Sequence, residues 1–430
     1  VFWEKKLGSW VNSIREHSAL PLRLELWNGQ RLDFAQHAPP QVTIRVPHVS
    51  ALTYLLTPSL SNLGKAYVEG KIEVEGRADK IISIGSALAR HTLRPEGRFA
   101  RVARSIHHTK KKDEEAIRYH YDVSNDFYRL WLDENMVYSC AYFENGDEDL
   151  ASAQTRKIDH ILTKIQVGPG HRLLDIGCGW GALVIRAAQK FGVQCVGITL
   201  SKNQYELARE SVARAGLSDR VEIRLEDYRD VTGTYDRITS VGMFEHVGAR
   251  HLVAYFSKMR SLLSDNGIAM NHGITTTDVN NGESAYGAGK FIDEYVFPHG
   301  ELQHIGTVLR AMQEGGLEVF DVENLRRHYA RTCALWAENF EDRAEQISEL
   351  VDERRFRIWR VYLAGCAYAF AQDWVSLYQV VCTKANSDAS HLPWSRRYMY
   401  ADDACQVQCR ASTIASREAE RKASRCPGVM

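Results

Sequence analysis

From His171 onward, strand-like and helix-like stretches alternate, and no other feature restricts the fold of this chain so strongly. Arg172-Leu-Leu-Asp-Ile, Gln194-Cys-Val-Gly-Ile, Val221-Glu-Ile-Arg-Leu, Arg237-Ile-Thr-Ser-Val and Gly267-Ile-Ala-Met-Asn read as strands. Helices are expected from Ala182, from Ser201 and near 250 to 263. Parallel strands need a long crossover, usually a helix, so the alternation predicts an α/β domain with a mostly parallel sheet covered by helices. A largely helical stretch (about 331 to 371) and a late strand, Val375 to Thr383, close it.

Asp175-Ile-Gly177-Cys-Gly179-Trp-Gly181 falls between the first strand and first helix of that sheet. Glycine lets a backbone turn sharply and approach a ligand, and open α/β sheets bind ligands at the carboxyl ends of their strands. The spacing is Gly-x-Gly-x-Gly, not the Gly-x-Gly-x-x-Gly that seats a pyrophosphate on a helix N-terminus. A carboxylate at Asp175 would also repel a pyrophosphate. S-adenosylmethionine has no phosphate but carries an amino group and a sulfonium, and an acid suits both. The plainer alternative is a tight turn that binds nothing.

Ahead of this domain, Leu22-Arg-Leu-Glu-Leu-Trp, Val42-Thr-Ile-Arg-Val and Ile72-Glu-Val-Glu alternate apolar and polar positions, the mark of strands with one wet face. Asn28-Gly29 signals a hairpin. Trp3, Leu7, Trp10, Val11 and Ile14 have helical spacing, which fits core packing better than a membrane-surface helix. The expected organisation is a small α+β, lipid-binding-like domain at 1–89, a basic linker at 90–117, the α/β domain at 118–400 and a polar tail, expected to be disordered, at 401–430. Arg90 to Lys112 holds eight Lys/Arg against one acid, Glu96. It reads as a solvated linker or as a contact for anionic lipid headgroups.

Lys plus Arg and Asp plus Glu are 54 each, so no whole-surface attraction to nucleic acid is expected, and nucleic acid is not expected as a partner. No apolar run is long enough to span a membrane. The nine cysteines are too sparse for a disulfide scaffold, so reduced cytosolic thiols are expected. No group of residues reads as a metal site. The opening Val1-Phe-Trp-Glu-Lys-Lys does not read as a signal peptide and lacks an initiating Met.

Several segments occur together in a familiar order: Tyr138-Ser-Cys140-Ala-Tyr, Leu174-Asp-Ile-Gly-Cys-Gly-Trp-Gly181, Gly197-Ile-Thr-Leu-Ser-Lys-Asn-Gln204, Met243-Phe-Glu245-His-Val-Gly248 and Phe291-Ile-Asp-Glu-Tyr-Val-Phe-Pro-His-Gly300. From about Arg118 to Tyr400 the chain resembles the cyclopropane fatty acid synthase family. Gly64-Lys-Ala-Tyr-Val-Glu-Gly-Lys-Ile-Glu-Val-Glu-Gly76 resembles the N-terminal domain of its bacterial phospholipid-acting members. The resemblance implies a class I (Rossmann-like) methyltransferase fold with a seven-stranded sheet and a helical insertion. It also implies a homodimer, cytoplasmic and peripheral on the inner face of the membrane. The implied reaction moves a methylene from S-adenosylmethionine to a cis double bond of unsaturated phospholipids.

The alkene in such a reaction is itself the nucleophile, and positioning against the sulfonium supplies much of the rate. Attack leaves a carbocation, a base must then take a proton from the new methyl, and water must be kept away. In the family the base is a bound bicarbonate, and the matching positions here are Cys140, Glu245, His272, the backbone of Ile274, and Tyr329. Read alone, Cys140 fits a core thiol, His272 a core histidine and Tyr329 a boundary aromatic. Glu245 has the weakest bland reading, since an unpaired buried carboxylate is costly. Beside bicarbonate, either Glu245 or the anion must carry a proton, or His272 must be cationic.

For the cofactor, the resemblance assigns Tyr138, Ser139, Gly177, Gly179, Thr199, Leu200, Gln204, Leu225 and Glu226, with Asp175 added by the loop itself. Leu225 stands where the family often has Trp. Glu226 or Asp227 is expected to accept from the adenine amino group; the plainer alternative is that both are solvated caps. A lipid C-methyltransferase making methyl-branched or methylene chains shares all these motifs; a non-enzymatic lipid-binding protein fits them less well.

Overall fold

The computed structural model describes residues 2–35, 38–56, 58–92, 123–279, 288–297, 301–388 and 390–400. Most of the basic stretch, from residue 93, and the tail 401–430 lie outside the described residues. In the first region, α1 (Phe2–His17) precedes a four-stranded sheet of β1 (Leu22–Leu26), β2 (Arg31–Asp33), β3 (Val42–Val46) and β4 (Glu73–Glu75), in the order β2-β1-β3-β4. Leu22, Leu24 and Leu26 alternate inward against Val42, Ile44 and Val46 of the parallel β3. Leu7, Val11 and Ile14 of α1 are buried in the same core, so the apolar stripe of that helix packs inward as the spacing implied. Gly29 takes the positive φ of the expected hairpin turn. Two helices, α2 (Leu60–Val68) and α3 (Ala78–Thr92), complete the region.

The second region opens with α4 (Leu150–Lys164), capped by Asp149, whose side chain accepts from the Ser152 amide. Strands and helices then alternate: β5 (Arg172–Ile176), α5 (Ala182–Phe191), β6 (Gln194–Thr199), α6 (Lys202–Arg214), β7 (Val221–Leu225), β8 (Tyr235–Val241), α7 (Leu252–Leu262) and β9 (Leu263–Thr276). After α8 (Ala288–Tyr295), α9 (Ile305–Glu314) and β10 (Leu317–Asn324), a helical insertion carries α10 (Arg326–Asp342), a short helix (Ala344–Leu350) and α11 (Glu353–Ala371). The chain returns through β11 (Val375–Lys384).

The sheet runs β10-β11-β9-β8-β5-β6-β7, and β11 is antiparallel to both neighbours. This is the doubly wound methyltransferase arrangement with seven strands. Two cores flank it, one holding Leu173, Cys195 and Met270, the other Leu174, Ile176 and Ala269, as expected for strands buried on both faces. A third, aromatic core (Tyr128, Trp131, Trp336, Trp359 and Phe370) joins the insertion to the segment before α4.

The small domain docks on α11. Arg357 donates to the Tyr67 carbonyl (2.9 Å) and to Glu73 (2.7 Å), and Arg360 to the Gly76 carbonyl (2.8 Å). Gly64 of α2 lies against α8, where a Cβ would stand 2.8 Å from the Phe291 ring. The first domain therefore braces the insertion and α8.

Candidate active site

At the carboxyl ends of β5, β6 and β8 lies an open cleft. Gly177 and Gly179 turn its floor at φ +82° and +56°, values that only glycine adopts without strain. Asp175, Thr199, Leu200 and Gln204 line it. Thr199 Oγ1 donates to Gln204 Oε1 at 2.8 Å, which fixes both side chains behind the loop. The two acids after β7 divide their work. Asp227 is held by Arg229 through two contacts of 2.8 Å, whereas Glu226 lines the cleft. Leu225 is half-exposed and not part of the cleft wall, while Tyr228 is.

Tyr138 and Ser139 close the opposite side. Two residues of α4 hold that segment: Gln154 donates to the carbonyls of Val137 (3.2 Å) and Ser139 (2.7 Å), and Lys157 donates to Ser139 Oγ (2.7 Å). The segment's other end is pinned by α10, whose Thr332 Oγ1 accepts from the Ala141 amide at 3.0 Å. Lys157 is buried at the cleft, and burial lowers its pKa to about 8. Burial likewise raises Asp175 to about 6, opposed by its hydrogen bond from Thr239 (2.7 Å). A buried ammonium beside Asp175, with Glu226 elsewhere on the cleft wall, suits the zwitterionic methionine end and adenine amine of S-adenosylmethionine, so the residues present fit that cofactor.

Behind the cleft stand the five positions of the second cluster. Glu245 follows β8 on the turn that supplies Gly242, Met243 and His246 to the cleft. Its Oε1 accepts from the Ile274 amide at 2.7 Å, and its Oε2 is buried with no hydrogen-bond partner among the described residues. Burial raises the Glu245 pKa to about 7. His272, two residues before Ile274 on β9, is 1% exposed, and its Nε2 also lacks a partner among the described residues. Burial and the nearby Lys157 and Lys164 hold His272 well below the usual histidine range. Burial thus disfavours a cationic His272 and favours a protonated Glu245. Ile274 packs against the aromatic core that contains Cys140 and Tyr329. Burial keeps the Cys140 thiol and the Tyr329 phenol protonated, and the thiol donates to the Ala141 carbonyl at 3.2 Å.

The structure thus groups Cys140, Tyr329 and Ile274 in one packed core and joins Glu245 to it through the Ile274 amide. Lys157, Lys164, Gln379 and Thr332 escaped the sequence reading. One signal was present: Gln154, Lys157 and Lys164 occupy the same stripe of α4 as the buried Ile161, where polar residues are out of place.

Sheet order, glycine loop and cleft together define an S-adenosylmethionine-dependent methyltransferase. A family model for mycolic acid cyclopropane synthetase matches residues 108–380, and a model for a domain of unknown function (DUF7884) matches residues 9–96. The chain is 47% identical to a probable fatty acid methyltransferase of Pseudomonas putida, over 89% of this chain and 96% of that one. It is 35% identical to the cyclopropane-fatty-acyl-phospholipid synthase of Escherichia coli (strain K12), over 79% and 87%. The crystal structure of the mycolic acid cyclopropane synthase CmaA1 complexed with SAH and CTAB superposes with a TM-score of 0.60 at 36% identity, covering 63% of this chain and 98% of that one. The chain belongs to the mycolic acid cyclopropane synthetase family.

Proposed function

We propose that the enzyme transfers a methylene from S-adenosylmethionine to the cis double bond of unsaturated phospholipid acyl chains and closes a cyclopropane ring. The observation that carries this reading is the pair of buried polar atoms, Glu245 Oε2 and His272 Nε2, that have no partner among the described residues; one lies on the turn after β8, the other on β9 where His272 pairs with Val241 of the cleft wall. Buried polar atoms are normally paired, so two orphans at one functional edge argue for a polar ligand. With Glu245 protonated both present hydrogen to it, which suits an anion such as bicarbonate. The Ile274 amide is already engaged by Glu245 and would have to be shared. Bicarbonate held there supplies the base that the new methyl requires.

The protein's own groups do the rest. Tyr138, Trp336 and Trp359 form an aromatic wall with ring centroids 5.2 to 6.5 Å apart that keeps water from the cationic chain. Gly177, Gly179 and Glu226 orient the donor, and Lys157 holds Ser139 in place. As part of the same reading the enzyme is a homodimer on the cytoplasmic face of the membrane, held peripherally by the first domain and the basic stretch. No helix among the described residues is long and apolar enough to cross a membrane. Vesicle binding is expected to rise with anionic lipid and fall with salt; indifference to both removes the electrostatic part.

A second reading, C-methylation of the chain without ring closure, is favoured by the name of the Pseudomonas putida relative. Expression in a bacterium rich in monounsaturated lipid, followed by proton NMR of its fatty acids, separates the two. Upfield cyclopropane protons with matching loss of olefinic signal support the synthase; an added CH2 with persisting olefinic signal supports methylation.

A further inference from the structure

Behind His272 runs a chain of buried polar side chains that the reaction does not require for contact with substrate or cofactor. Lys164, at the end of α4, and Gln379, on β11, are both fully buried. Lys164 Nζ donates to Gln379 Oε1 at 2.8 Å and is ion-paired with Glu323 at the end of β10. Glu323 also meets His160 Nε2 at 2.9 Å and accepts from the Tyr400 hydroxyl at 3.2 Å. Gln379 stands directly beside His272 in the β9–β11 register, with its Nε2 3.1 Å from His272 Nδ1.

Donor and acceptor accounting along this chain has one solution. An ammonium has three donors and no acceptor, so the Gln379 oxygen must face Lys164 and its amide NH2 must face the imidazole. That NH2 donates, so Nδ1 accepts and carries no proton. A neutral imidazole with a bare Nδ1 carries its hydrogen on Nε2. The imidazolium is excluded on the same ground, because a protonated Nδ1 would oppose the amide NH2. The Nε2 hydrogen then belongs to the atom that is buried without a partner among the described residues.

We propose that Lys164 and Gln379 are positioning residues that lock His272 as its neutral Nε2–H tautomer, making it a fixed hydrogen-bond donor to an anion in the cluster and never the base. The inference rests on the reading that His272 serves that cluster. It assigns work to three residues that touch neither substrate nor cofactor, and it explains a buried lysine that packing alone would disfavour. Glu323 anchors the far end by neutralising Lys164.

The test is imidazole 15N NMR on the full chain labelled at histidine, with the His272 signals identified by difference against His272→Gln. In the wild type, Nδ1 is expected in the unprotonated acceptor range and Nε2 in the protonated range, unchanged from pH 6 to pH 8. A signal from Nδ1–H or from imidazolium overturns the proposal whatever the substrate is. Gln379→Glu replaces the donor by an acceptor and is expected to reverse the tautomer. It should lower kcat about 10²-fold, the usual worth of a positioned proton-bearing group, with cofactor affinity unchanged. Lys164→Met frees the amide to flip and is expected to give both tautomers and a smaller loss. Retention of the wild-type tautomer in Gln379→Glu also overturns it. Because the spectra are read without turnover, a mistaken substrate leaves the tautomer result standing, and a mistaken tautomer is exposed even if the substrate is right.

Discussion

The two halves of the large sheet use glycine and charge in opposite ways. On the cofactor side, from β5 to β7, Gly177 and Gly179 are needed for their positive φ, and a Cβ at Gly179 would meet nothing within 4 Å. On the catalytic side, at β9, Gly273 is needed for space: a Cβ there would stand 2.0 Å from the Phe244 ring and 3.2 Å from Glu245 Oε1. Charge divides likewise. The cofactor cleft exposes Glu226 to its ligand, while the catalytic side buries Lys164 against Glu323 and keeps Cys140, Tyr329 and His272 neutral. On the proposed reading, one half grips a charged molecule and the other tolerates a cation forming on a hydrocarbon.

Gly273→Ala should break the catalytic half and spare the other. Phe244 is 2% exposed and cannot swing away, so the added methyl displaces the turn carrying Glu245. We expect kcat to fall about 10³-fold, the range of a lost acid–base group, with cofactor affinity by calorimetry unchanged. Gly179→Ala is the converse: left-handed strain of about 1–2 kcal/mol should lower the melting temperature, and any loss of rate should follow cofactor binding.

The protonation of Glu245 sharpens the contrast. Its folded pKa, raised to about 7 from 4.5, means that the native state holds a proton the unfolded chain has released between those values. Stability from this group is therefore complete below about pH 4.5 and lost as pH rises through 7. A rate that needs the protonated form declines above pH 7, approaching tenfold per unit. Glu245→Gln keeps a neutral donor and is expected to abolish that decline. A decline that persists in the variant assigns it to another group.

The acids after β7 give a smaller effect. Glu226→Gln removes a charged acceptor from the cleft, for an expected tenfold or so weakening of cofactor binding, equivalent to about 1.4 kcal/mol. Asp227→Asn breaks the Arg229 pair instead and is expected to lower stability while leaving that affinity alone. Equal losses of affinity would mean that Glu226 acts through the loop rather than on the ligand.

The same division explains what could be read before the structure was known. The parallel sheet, the glycine loop and the Thr199–Gln204 pair lie in contiguous motifs whose physics is local, and periodicity alone placed β5 to β9 and their helices. The catalytic cluster draws on positions 140, 245, 272 and 329, and only the family resemblance brought them together. Lys164, Gln379 and Glu323 were missed because hydrogen bonds that give them meaning span 159 and 215 residues. Leu225, which the resemblance assigned to the cofactor, lies outside the cleft lining: a strand end is easy to find, but which way its last side chain faces depends on the turn that follows.

The smallest effect expected is at the brace between the two domains. Gly64 brings α2 onto α8, and the contact is reinforced by the Tyr295 hydroxyl donating to Glu69 at 3.1 Å and by the exposed Lys65–Glu294 pair, which is worth little by itself. Gly64→Val forces the Phe291 ring aside, an overpacking that typically costs about 1–3 kcal/mol. Because α8 leads to Phe297, whose ring touches His246 and Tyr362, the displacement reaches the mouth of the site without reaching Glu245 or His272. We expect a rise of a few-fold in KM for unsaturated vesicles, with kcat, cofactor affinity and the His272 tautomer unchanged. If kcat falls instead, α8 sets the position of the reacting bond, and the first domain belongs to the catalytic half of the molecule rather than to its membrane face.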